Sequence, residues 1–254
     1  MTLLTDTHCH LNSPHFAGRV GDVVARAMAA GVGTLIVPAW DRASAEAALA
    51  LAEAYPAIRA AVGLHPWFVT SETDTAWVAP LLTHPRVVAV GEIGLDGAIA
   101  GEDPARQERV FRAQLALARA HDLPVLLHCQ RRWDRLPAIL RDYPGLRGVL
   151  HAFSGSAEVL RDCLRLGLYV AFAGGVTRPN SRHARAAAAA APADRVLLET
   201  DAHYMALEGV PAEAAEPAHL PRILAVVASL RGDDPAALAA QTDANARALG
   251  LLRG

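Results

Sequence analysis

Histidines and carboxylates recur along this chain in a pattern suited to divalent cations. His8 and His10 stand two residues apart after an apolar run, in Asp6-Thr7-His8-Cys9-His10. In extended backbone alternate side chains share a face, so both imidazoles project the same way and form a metal-binding pair. Asp6 shares that face and is expected to orient a histidine ring from behind. Glu92 sits in Val90-Gly91-Glu92-Ile93-Gly94-Leu95-Asp96, where the glycines let the backbone pass close to a crowded centre. Its two carboxylate oxygens can bridge two cations. His128 ends Val125-Leu126-Leu127-His128 and His151 ends Val149-Leu150-His151, matched positions that suit the ligands of a second ion. Asp201 closes Glu199-Thr200-Asp201, placed to bind one ion and to accept a proton from an attacking water. Two ions activating one water make hydrolysis the natural chemistry.

Such dispersed residues need a scaffold that gathers distant segments, and the chain supplies eight short aliphatic runs alternating with amphipathic stretches. The expected strands are Leu3–Thr7, Thr34–Val37, Ile58–Gly63, Val87–Gly91, Val125–Leu127, Gly148–Leu150, Tyr169–Phe172 and Val196–Leu198. Helical patterns lie near Val20–Ala30, Ala43–Tyr55, Ala76–Leu82, Pro104–His121, Leu136–Tyr143, Ala157–Leu166 and Arg182–Ala191, followed by Leu220–Leu230 and Pro235–Leu251. Gly31 and Gly167 stand just past helices, where a left-handed cap wants glycine. Eight strand-helix repeats within 254 residues predict a single-domain (β/α)8 TIM barrel with C-terminal helices, spanning residues 1–254. Every candidate ligand then falls at the C-terminal end of a strand, where such barrels carry their chemistry. An open doubly wound sheet, the main rival, often has a glycine-rich first turn that is missing here. The alanine run Ala186–Ala191 reads as a plain surface helix with little side chain to pack.

Composition removes several alternatives. With 52% hydrophobic and 20% charged residues the chain folds around a sizeable core. A net charge of −2 gives no global attraction to DNA or to an anionic membrane. All 24 basic residues are arginine, so lysine Schiff-base chemistry, a phosphate-loop lysine and a carbamylated lysine bridging two metals are excluded. Glu92 must supply any such bridge. Cys9, Cys129 and Cys163 form no Cys-x-x-Cys pair and read as free thiols of a reducing compartment. Their strand parity turns Cys9 and Cys129 away from the barrel mouth, so neither is expected to be a nucleophile. No Gly-x-Ser-x-Gly surrounds Ser154-Gly155-Ser156, which argues against a serine hydrolase. No secretory leader or run of about 20 apolar residues is present. A soluble, cytoplasmic protein is expected, monomeric by default, with no membrane and no obligate protein partner.

Asp6-Thr7-His8-Cys9-His10-Leu11, Gly63-Leu64-His65-Pro66, Gly91-Glu92-Ile93-Gly94-Leu95-Asp96, Gln107 to Leu115, Leu123-Pro124 to His128, His151-Ala152-Phe153-Ser154-Gly155 and Leu198-Glu199-Thr200-Asp201 run in order over nearly the whole chain. In these motifs the sequence resembles the TatD family of metal-dependent hydrolases, within the amidohydrolase-like barrels. The resemblance implies metal ligands at His8, His10, Glu92, His128, His151 and Asp201, with Asp201 as general base, and deoxyribonuclease activity. It also implies that His65 lies near the substrate phosphate. Three positions depart from the family pattern. Gln130 replaces an arginine, with Arg131 and Arg132 next door; His203 replaces a proline after Asp201-Ala202; and Ala215-Glu216-Pro217 replaces Asn-Glu-Pro. His203 adds an imidazole near the site, open to three readings: a metal contact, a substrate contact or neither.

The leading expectation is a two-metal hydrolase, with zinc, magnesium or manganese, that cuts phosphodiester bonds at single-stranded DNA ends. Arg131, Arg132, Arg178 and Arg182 follow strand ends and suit neighbouring phosphates. Trp67, Phe68 and Trp133 suit base stacking, Trp67 best of all. An amide, ester or lactone hydrolase for a small molecule keeps the same centre and changes the bond. A non-catalytic, metal-stabilised scaffold is the third possibility.

Overall fold

The computed structural model describes residues 3–70, 74–99, 101 and 103–252. Eight parallel strands hydrogen-bond in chain order: β1 (Leu4–Asp6), β2 (Val32–Pro38), β3 (Ile58–Val62), β4 (Val87–Asp96), β5 (Val125–Gln130), β6 (Gly148–Leu150), β7 (Tyr169–Phe172) and β8 (Val196–Leu198). The backbone N–H and the hydroxyl of Thr7 both donate to the Leu198 carbonyl, each at 3.1 Å, and draw β1 and β8 together. The result is a (β/α)8 barrel. Helices α1 (Val20–Ala29), α2 (Arg42–Ala54), α3 (Val78–Leu81), α4 (Pro104–Ala120), α5 (Arg135–Leu140), α6 (Ala157–Arg165) and α7 (Arg182–Ala190) separate successive strands. α8 (Leu220–Arg231) and α9 (Pro235–Leu249) complete the chain. Among the described residues no helix is long and apolar enough to cross a membrane.

Alternation within the strands sorts two apolar layers. Leu35, Val37, Val125, Leu127, Val170 and Val196 join the layer that packs beneath the helices. Ile36, Leu126, Val149, Ala171 and Leu197 join a separate cluster with Ala246, Leu249 and Leu251 of the C-terminal segment. That second cluster is the barrel floor.

β4 and β5 outrun their expected ends by several residues, and both extensions carry site residues. β4 continues past Gly91 to Asp96 and β5 past Leu127 to Gln130. The glycines of β4 are demanded by packing. A Cβ on Gly91 would meet Leu126 Cβ at 2.6 Å, and one on Gly94, at φ +152°, would collide with the His128 carbonyl. Glycine keeps β4 against β5 where a side chain would push them apart. The pairing register slips between Val90 and Ile93, at Glu92.

Helix α4 starts at Pro104 behind an Asp103 cap, whose side chain accepts from the Arg106 N–H. It then sends two amides, two turns apart, into the core. Gln107 exchanges hydrogen bonds of 2.9 and 3.0 Å with the Asp96 backbone. Gln114 does the same with the Leu64 backbone at 2.7 and 3.0 Å. Each clips the strand end that presents a site residue. Helix α7 corrects the surface-helix expectation. Ala184, Ala187 and Ala188 are buried, because small side chains let this helix sit close to the core.

Candidate metal centre

Glu92 stands at the middle of the barrel mouth and faces imidazoles on both sides. Its Oε2 lies 3.2 Å from His8 Nε2 and 3.8 Å from His10 Nε2. Its Oε1 lies 2.8 Å from His151 Nε2, 3.0 Å from His128 Nδ1 and 3.3 Å from His65 Nε2. Asp201 Oδ1 adds a second carboxylate 3.4 Å from His10 Nε2. β1, β3, β4, β5 and β6 and the turn after β8 thus deliver one donor set from positions remote in sequence.

The set fits divalent cations. His8 Nε2 and His10 Nε2 approach to 3.1 Å, and His128 Nδ1 and His151 Nε2 to 3.3 Å. Nitrogens this close, turned on a shared carboxylate, are better matched as ligands than as donor and acceptor. The Nδ1 atoms of His8 and His10 are buried without a hydrogen-bond partner among the described residues. Overlapping groups of potential ligands form at His8, His10 and Glu92, at His65, Glu92 and His128, and at His8, His151 and Glu199. Imidazole suits zinc, while the carboxylates also suit magnesium or manganese.

Electrostatics keep the carboxylates ionised despite burial. Burial alone would raise the Glu92 carboxyl, but His151, His65 and His8 and the hydrogen bond from His128 hold it well below its usual range. Burial also opposes charge on Asp201, and the His10 hydrogen bond outweighs it, lowering that carboxyl too. Burial pushes His65 down to about 4, so its ring is neutral. Burial works against a charged His151 as well, yet Glu92 and Glu199 raise it well above the ordinary imidazole value.

Two carboxylates escaped the sequence-based expectations. Asp96 Oδ2 accepts from the Trp67 indole at 2.6 Å and lies 3.0 Å from His128 Nε2, while its Oδ1 accepts from the Ala98 N–H at 2.7 Å. These bonds overcome burial and bring its carboxyl down to about 2. Glu199 Oε1 lies 3.5 Å from His151 Nδ1 and accepts from the Ala152 N–H at 2.6 Å. Both hold histidines from behind, the role expected of Asp6. Asp6 instead accepts from the Thr200 hydroxyl and N–H at 2.6 and 2.9 Å and from the His8 N–H at 3.3 Å. It ties the strand-eight turn to β1, with Oδ1 taken by two backbone N–H groups and Oδ2 by the Thr200 hydroxyl, and among the described residues no imidazole ring pairs with it. Burial raises its carboxyl to about 8.

A cavity of about 870 Å³ opens over the centre, walled by Trp40, Trp67, Phe68 and Tyr204. Trp67 is 58% exposed, so its ring face is available while Asp96 fixes its edge. His65 joins the donor set itself, closer in than a substrate contact alone would need. Gln130 lines the cavity and Arg131 does not; the latter is exposed, on left-handed backbone at φ +54°. His203 also stands outside the lining. Its Nε2 pairs with Ser13 Oγ at 2.8 Å, and its ring stacks on His15 at 4.1 Å and on Tyr204 at 4.5 Å. Tyr204 takes the wall position instead, edge-on to His10. Trp133 packs against Phe153 rather than the cavity, and Arg178 and Arg182 line a neighbouring hollow. Cys129 touches the cavity, but burial pushes its thiol to about 12, and Cys9 is fully buried with its thiol raised further from reactivity. Neither is a nucleophile.

With this geometry in place, a profile described as TatD related DNase matches residues 5–250. The chain belongs to that family. It is a metal-dependent hydrolase of the TatD group, similar over nearly its full length to curated relatives. One is the 3′-5′ ssDNA/RNA exonuclease TatD of Klebsiella pneumoniae, 40% identical over 255 residues that cover 96% of each chain. Another is the uncharacterized metal-dependent hydrolase YjjV of Escherichia coli, 40% identical over 233 residues and 89% of each chain. The crystal structure of that TatD homologue superimposes with a TM-score of 0.90 at 37% identity, covering 98% of both chains.

Proposed function

We propose that this TatD-family hydrolase is an exonuclease that removes nucleotides from single-stranded DNA ends, at a centre holding two divalent ions. One observation carries the reading: Glu92 turns Oε2 toward His8 and His10 and Oε1 toward His128 and His151, the disposition of a bridging carboxylate. His8, His10 and Asp201 with Oε2 would hold one ion, and His128 and His151 with Oε1 the other. Divalent ions in such a site lower the pKa of water and offset the charge on the phosphoryl oxygens.

The chain's own groups do the rest. Asp201, kept ionised by His10, takes a proton from the attacking water as its oxygen bonds to phosphorus and the bond to the leaving sugar oxygen breaks. His65, neutral in its buried setting, faces Oε1 and orients the phosphate without adding charge. Trp67, with Phe68 and Tyr204, offers ring faces to the terminal bases. The near-neutral chain favours grasping a strand end over tracking a duplex.

The test is hydrolysis of 3′-labelled and 5′-labelled single-stranded DNA, with the matching RNA, by metal-stripped protein refilled with magnesium, manganese or zinc. Asp201→Asn runs in parallel. Release of mononucleotides from the 3′ label, dependent on metal and reduced about a hundredfold or more in the variant, is the expected result. No cleavage of any strand with any ion, alongside turnover of small esters, amides or lactones, would replace the nuclease with a small-molecule hydrolase. No turnover at all would leave a scaffold.

A further inference from the structure

Beside the metal cavity lies a second hollow of about 480 Å³. The two share Ala152, Ser154 and Met205 as a common ridge. The ridge is fixed from the centre itself: Ala152 adopts a left-handed backbone at φ +45°, and its N–H is held by Glu199, the carboxylate behind His151. Arg178 and Arg182, both exposed, line this hollow and not the metal cavity. Elsewhere on the molecule several arginines are tied to acids, such as Arg26 to Glu216, Arg112 to Asp142 and Arg135 to Glu108. Among the described residues no carboxylate pairs with Arg178 or Arg182, and no hydrogen bond engages either guanidinium. Asn180 and His183 line the same hollow. Two unpaired guanidiniums beside an amide and an imidazole, across one ridge from the metal cavity, suit a second phosphate.

We infer that this hollow is the subsite for the backbone phosphate next to the scissile one, so that the strand crosses the Ala152–Ser154 ridge and is clamped by Arg178 and Arg182. The inference rests on the nuclease reading.

The test compares a short single-stranded DNA with bis(p-nitrophenyl) phosphate, which has one phosphodiester and no flanking phosphate. The proteins are wild type, Arg178→Gln/Arg182→Gln and Arg178→Lys/Arg182→Lys, all metal-loaded, with strand affinity measured separately by fluorescence anisotropy in chelator. In the glutamine variant the ratio of kcat/KM on the strand to kcat/KM on the small diester should fall about tenfold or more. Strand affinity should fall with it, and the salt slope should shrink by about 0.7 per lost phosphate contact. Lysines should restore part of both. An unchanged ratio and affinity overturn the subsite while wild-type cleavage leaves the nuclease standing. An equal loss on both substrates also overturns it, marking a general effect on the centre. Wild-type protein that cleaves the small diester but no strand overturns the nuclease reading, and the subsite with it.

Discussion

Ile36, Leu126, Val149 and Leu197 fill the lower barrel with aliphatic side chains, whereas at the upper ends of the barrel strands His8, His128 and His151 crowd around the Glu92 carboxylate. The floor needs volume and apolarity, and contacts there are non-directional. The mouth needs angles. Each ring must aim a chosen nitrogen, so Asp96 and Glu199 stand behind His128 and His151 and Gln107 and Gln114 clip the strand ends. The floor gives the protein its stability, and the mouth spends some of that stability on burying charge.

The largest effect that separates the regions is metal removal. Chelation should lower turnover about a thousandfold or more, while a single cooperative melting transition survives because the floor holds no ligand. Refilling at about 1,000 times Kd should add about 4 kcal/mol of stability, read as a rise in Tm. Loss of the folded baseline on chelation would merge the two regions into one. Leu197→Ala reverses the experiment. Its cavity should cost about 2–5 kcal/mol, visible by denaturant titration, with metal content by elemental analysis unchanged. A loss of bound metal in this variant would break the separation.

Asp96→Asn keeps the shape around His128 and Trp67 but removes the charge behind the ring. Metal affinity should drop about 10–100-fold by titration calorimetry, with thermal stability nearly intact; unaltered affinity would reduce Asp96 to a packing role. Trp67→Ala should have the smallest effect, weakening strand binding about tenfold, as expected for one stacked base. Equal binding by anisotropy would remove Trp67 from the substrate path.

All eight strands were legible because each leaves a local mark, and the six residues expected as ligands stand together at the barrel mouth. Aliphatic runs of strand length end in His, Glu or Asp, and the helices between them keep their own period. What sequence hid depends on contacts between remote segments. Gly91 and Gly94 read as places of close backbone approach, but what they approach, Leu126 and the His128 carbonyl, is seen only in the fold. Asp96 and Glu199 look like loop carboxylates until β5 and β6 bring histidines to them. His203 and Arg131 carry the right chemistry beside the site, but Ser13 holds one ring outside the cavity and a left-handed turn after β5 sends the other outward. Spacing gives the face of a strand; it does not give the neighbour across the barrel.

One carboxylate, Glu92, faces every imidazole of the mouth, and elemental analysis with strand cleavage on the same samples of wild type and Glu92→Gln shows what it does. Two ions per wild-type chain, fewer in the variant, and turnover reduced about a thousandfold or more are expected. A folded Glu92→Gln protein that keeps two ions and cleaves at the wild-type rate would contradict the bridging role proposed for Glu92.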